Sequence, residues 1–173
     1  RMSIDELAKR EQNLYSSVKE LEGTIEEKSD KIVYFGISKN YREIHHDYSR
    51  LAKTDLEALK RGLFLIWYSM SEPTWLTGIG ELEMESEERI VKILDRRLKR
   101  GITDYELDWM LGYYSGWDYV FERFKDFENF QNRLKSESKT ELPDEIDREQ
   151  MKQRGQMGIY WNSLTIFNKE TSS

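Results

Sequence analysis

The sequence predicts an all-α fold, an irregular multi-helix bundle around a central apolar helix at about 55–70 and a long helix at about 104–134. Three observations carry this. Apolar residues recur at spacings of three and four through most of the chain, the period of one helix face. Two Thr-x-x-Glu boxes, Thr54/Glu57 and Thr103/Glu106, stand before the two longest apolar stretches, where each side chain can bond a free backbone N–H of the other. Charged residues reach 35%, but aromatics at 13% set the chain apart from disordered sequences, which are poor in Trp and Tyr. At 173 residues the chain closes one core more readily than two, so a single domain over 1–173 is expected.

The first helix is predicted at about 3–25. Its stripe of Ile4, Leu7, Leu14, Val18, Leu21 and Ile25 is narrow, and Glu11 alone interrupts it. Such a seam serves either the protein's own core or a partner. Residues 31–38, KIVYFGIS, are too short a run for periodicity to separate a strand from a helix turn. Both readings stay open, the strand reading requiring a small two-strand pairing with 159–167, the other strand-like run. A helix over about 39–53 sets Tyr41, Ile44, Tyr48, Leu51 and Ala52 on one face.

The helix at 55–70 is apolar nearly all round beyond Arg61, which places it at the centre. Pro73 and the glycines at 78 and 80 stop it, and the connector's Trp75, Leu76 and Ile79 are expected to fold back onto the core. A helix at about 86–100 ends in Arg96, Arg97, Lys99 and Arg100 before Gly101. Within the long helix, Gly112 and Gly116 permit close approach or a kink. A mobile loop at about 135–142 precedes a last helix from about Asp144, and the extreme C-terminus is expected to be mobile.

A net charge of −6 disfavours nucleic acid and anionic membranes as partners, and no apolar run approaches a membrane span. Cytoplasmic residence is the expectation. The absence of Cys excludes thiolate chemistry and disulfides. Glu43, His45 and His46 contain the Glu-x-x-His spacing of helical metal sites, but the motif is not repeated and the two rings point to different faces, so no metal and no cofactor is expected.

The chemical candidates lie on the long helix. Asp118 falls near the inward stripe, and Glu122 one turn on would complete a pair of carboxylates suited to acid–base work, in a pocket lined by Trp67, Tyr114 and Trp117. A structural role for Asp118, accepting a hydrogen bond or pairing with an Arg, weighs more. Missing catalytic constellations, together with the narrow stripe and the abundant aromatics, favour a non-enzymatic protein-binding or regulatory domain. Its surface would be the first-helix seam (Leu7, Leu14, Val18, Leu21) or the patch at Trp75, its partner another protein or a second copy. A small-ligand binder or carboxylate-dependent enzyme with a pocket around Asp118 is the alternative.

Overall fold

The computed structural model describes residues 2–136 and 141–167, with the side chain of Asp118 also outside the description. The flexible-loop expectation at 135–142 and the expectation for the extreme C-terminus therefore fall largely outside the described residues. Those residues form ten α-helices and two 3₁₀ segments, with no strand among them.

Helix α1 (Ile4–Lys19) opens on a capping box between Ser3 and Glu6. It is shorter than the seam suggests, because Thr24 caps a second helix, α2 (Ile25–Tyr34), which takes Ile25 into its own first turn. The strand reading of 31–38 is overturned. The polar, helix-favouring stretch from Glu26 to Lys31 carries the helix into the apolar run, Gly36 turns the chain in the left-handed region (φ 69°), and Ile37 begins α3 (Ile37–Leu51). Its proposed partner is not a strand either, since 159–163 belong to α10 (Gly155–Ser163) and Thr165–Phe167 form a 3₁₀ turn.

Helix α4 (Leu56–Ser71) is buried without interruption from Ala58 to Trp67 and packs against α3, α10 and α6 (Met84–Lys99), the central position its sequence predicts. The connector after Pro73 holds one short helix, α5 (Thr74–Thr77). It returns to the core through buried Thr77 and Ile79, while Trp75 is half-buried and Leu76 exposed.

The long helix is not continuous. Helix α7 (Tyr105–Tyr114) passes into a 3₁₀ segment (Ser115–Phe124), broken at Trp117 (φ −125°, ψ 54°), before α8 (Glu128–Lys135). The break adjoins Gly116, and it frees Phe121, Phe124 and Phe130 to be buried together where one straight rod would align only a single face. The last helix likewise divides, into α9 (Arg148–Met151), capped by Asp147, and α10.

Neither predicted capping box forms. The caps are Asp55 and Asp104, each one residue after the expected threonine, whose carboxylates accept from Glu57 N and Leu107 N. Glu57 and Glu106 are thereby left free for another task.

Candidate functional site

That task is to hold one arginine. Arg154, entering α10, places Nε and Nη2 on Glu57 at 2.7 and 2.5 Å, and Nη1 and Nη2 on Glu106 at 2.9 and 2.5 Å. Lys60 completes the chain, donating to Glu106 at 3.0 Å and to Asp104 at 2.7 Å, while Arg61 donates to Glu57 at 2.9 Å. Burial works against the Arg154 charge, but the hydrogen bonds it donates to Glu106 and Glu57 outweigh it and raise its pKa. Burial likewise opposes the Glu106 charge, and Arg154 and Lys60 outweigh it, holding that carboxyl below its ordinary range. Replacing Arg154 with Met would leave two part-buried carboxylates facing each other. The expected loss is about 2 kcal/mol, below the cost of breaking a fully buried pair, and urea unfolding reads it directly.

Arg61 links this cluster to a deeper one. Glu11 is 1% exposed; its Oε2 accepts from Tyr48 Oη at 2.5 Å, Tyr48 Oη lies 3.4 Å from Arg61 Nη1, and the Gln156 backbone N–H donates to Glu11 Oε1 at 3.4 Å. Gln156 also accepts from Tyr41 Oη at 3.2 Å. Helices α1, α3, α4 and α10 therefore meet on polar contacts at one point. Burial pushes the Glu11 carboxyl up to about 7, against the lowering influence of Tyr48 and Arg61. The acid that interrupts the α1 seam is thus a core residue. So enclosed a group offers no surface to a reactant, and its work is to fix α1 in place.

The other candidates distribute as follows. Leu7 and Val18 are buried core, whereas Leu14 and Leu21 are half-buried. Trp67 and Tyr114 are buried and stacked at 5.2 Å, with the half-buried Trp117 edge-on to Trp67 at 5.3 Å. These three rings pack against one another. Their cluster extends to Tyr113 and Tyr160, whose hydroxyls meet at 2.5 Å. Glu122 is exposed on the 3₁₀ segment, while the Asp118 side chain lies outside the described residues. His45 is fully buried. Burial pushes its pKa down to about 4, so at pH 7 it is neutral, with Nε2–H donating to the Gly62 carbonyl at 3.1 Å and Nδ1 facing the Ser86 hydroxyl at 3.0 Å. Among the described residues no cluster of three or more His, Asp and Glu side chains has the geometry of a metal site.

Two surface features remain. The first is on α2: Val33, Tyr34 and Phe35 are 75%, 81% and 61% exposed, Ile25 is also exposed, and the Tyr34 and Phe35 rings meet edge to face at 5.2 Å. Phe35 also borders a groove of about 440 Å³ shared with Leu14, Leu21 and Ile37. The second is a cleft of about 320 Å³ on the adjacent face of α1, walled by Tyr15, Tyr68, Trp75 and Tyr160. Comparison with protein-family models, curated proteins and solved structures gives no match to this chain.

Proposed function

We propose that this is a protein-binding domain whose docking surface is the outer side of α2, with the Leu14–Leu21–Phe35 groove beside it. The observation that supports it is the run Val33-Tyr34-Phe35. Single exposed hydrophobes are ordinary on a folded surface, but three consecutive large ones beside a groove lined by Leu14, Leu21, Phe35 and Ile37, with Ser17 and Glu20 at its polar side, are a feature of interaction sites.

The partner's chemistry follows from charge. At about 100° per residue, Glu26 and Asp30 share the outer side of α2 with Val33 and Tyr34, whereas Lys28 faces the opposite way. Neither acid has an ion-pair partner among the described residues. The occupant is therefore an apolar segment flanked by basic residues, such as an amphipathic Leu/Lys helix laid into the groove. A second copy would bring Glu26 and Asp30 against their own kind, in a chain already at −6.

The test is fluorescence anisotropy with a labelled amphipathic Leu/Lys peptide and its Leu/Glu counterpart. The Leu/Lys peptide is expected to bind and to weaken as salt rises, and the triple variant Val33→Ser, Tyr34→Ser, Phe35→Ser should reduce its affinity by about tenfold or more. Because all three side chains are solvated, the variant keeps its fold. Equal binding of both peptides, or the same affinity in the triple variant, contradicts the reading.

A further inference from the structure

The cleft beside α1 has a composition unlike the α2 surface. Its walls are the rings of Tyr15, Tyr68, Trp75 and Tyr160, and its volume of about 320 Å³ is that of a small-molecule site. Two cations border it. Lys19, exposed, holds its ammonium over the Tyr15 ring at 4.9 Å, and Lys28 is half-buried on the inward side of α2. Neither lysine has a carboxylate within ion-pair distance among the described residues, although acids outnumber bases in the chain. Two lysines left unpaired at one aromatic cleft mark it as a place that receives negative charge.

The floor supplies a third element. Gln156 lines the cleft yet is only 3% exposed. Its carbonyl oxygen is taken by Tyr41 and its backbone N–H by Glu11, which fixes the side chain; its Nε2 is left without a partner among the described residues. An amide N–H₂ held at the cleft and not bonded by protein is a donor for an acceptor atom supplied from outside. The Tyr160 hydroxyl, by contrast, is engaged with Tyr113.

From this combination we propose that the cleft binds a small planar aromatic anion, a compound of the aryl-carboxylate class. Its ring stacks among Tyr15, Tyr68, Trp75 and Tyr160, its anionic group lies toward Lys19 and Lys28, and a polar atom on it accepts from Gln156 Nε2. The orientation follows from the field within the cleft. The cations that border it are Lys19 and Lys28, so the anionic group lies at their end. This site is separate from the α2 docking surface and stands or falls without it.

Calorimetry on the full chain with three probes of one shape tests it: 1-naphthoate, 1-naphthalenemethanol and 1-naphthylmethylamine. The naphthoate is expected to bind about tenfold more tightly than the neutral alcohol, and the amine weakest. In the double variant Lys19→Gln, Lys28→Gln, checked for unchanged helical circular dichroism, the naphthoate should fall to the level of the alcohol while the alcohol is unchanged. Trp75→Ala, checked for unchanged helical circular dichroism, should weaken naphthoate and alcohol alike. Three equal affinities, no naphthoate binding up to the millimolar range, or a preference for the anion that survives loss of both lysines overturns the proposal.

Discussion

Gly155→Ala is expected to lower stability by about 3–5 kcal/mol. Two costs combine. Gly155 has φ +65°, where an L-residue is strained by about 1–2 kcal/mol. A Cβ there would also stand 2.0 Å from Glu11 Oε2, so the carboxylate would have to leave its place and give up the Tyr48 and Gln156 hydrogen bonds. Losing hydrogen bonds to a buried charged group adds about 1.5–3 kcal/mol. Gly101 separates the two costs. It has nearly the same φ, 68°, but nothing lies within 4 Å of its Cβ position, so Gly101→Ala should show the strain alone. In thermal unfolding, Gly155→Ala is expected to melt roughly 10 °C lower than the parent and well below Gly101→Ala. Equal losses in the two variants would mean that Glu11 does not occupy that space in solution.

The second large effect is a dependence on pH. Burial pushes the Glu11 carboxyl up to about 7 in the folded protein from its ordinary 4.5 in the unfolded chain, so the folded state binds the extra proton between those values. The contribution is fully present below pH 4.5, declines as pH rises through about 7, and is then lost, a change of about 3 kcal/mol. Glu87, which burial also pushes up to about 7 against the opposing charge of Arg123, adds a decline over the same window. Glu106 works in the other direction. Its lowered pKa gives stability that disappears as pH falls below the ordinary carboxylate range. His45 also opposes the decline, since its pKa, pushed down by burial from 6.5 to about 4, gives stability that is lost as pH falls from 6.5 through 4. With two raised acids against these two groups, maximum stability is expected at mildly acidic pH, around 5. Glu11→Gln, with the shape of the protonated acid, should flatten the decline toward pH 8 and leave the Glu87 portion, offset by His45 below about pH 6.5, as urea midpoints over a pH series would show. A decline unchanged by Glu11→Gln would remove the charge-burial account.

Much of this fold is legible in the residues because each signal is local. The all-round apolarity from Leu63 to Tyr68 identifies α4 as the centre, and Gly101 after the basic turn ends α6 as written. The helix break at Trp117 is less legible, since Gly112 and Gly116 both permit one and the choice depends on burying the phenylalanines beyond it. The capping boxes mislead for a specific reason. Threonine and aspartate stand side by side at both helix starts, and the aspartate caps, which releases Glu57 and Glu106 to Arg154 from another part of the chain. Glu11 was visible as the single interruption of a seam. Its meaning was not, because the partners that make its burial tolerable, Tyr48, Arg61 and the bare Cα of Gly155, are distant in sequence.

The candidate surfaces show the same limit. An apolar run such as Ile32 to Phe35 reads as future core, and only the fold shows that Ile32 is buried while the next three residues face outward. Conversely, Leu7 and Val18, read with Leu14 and Leu21 as one seam, are core, and of the four it is Leu14 and Leu21 that line the groove beside Phe35.

The docking surface is tested most directly by mapping the Leu/Lys peptide onto the isotope-labelled protein through its backbone amide NMR shifts. The account predicts shifts concentrated at residues 25–37 and along the Leu14–Leu21 edge of α1, with Trp75 and Tyr160 unmoved. Shifts centred on the cleft, or spread over the acidic surface without focus on Val33, Tyr34 and Phe35, would contradict it.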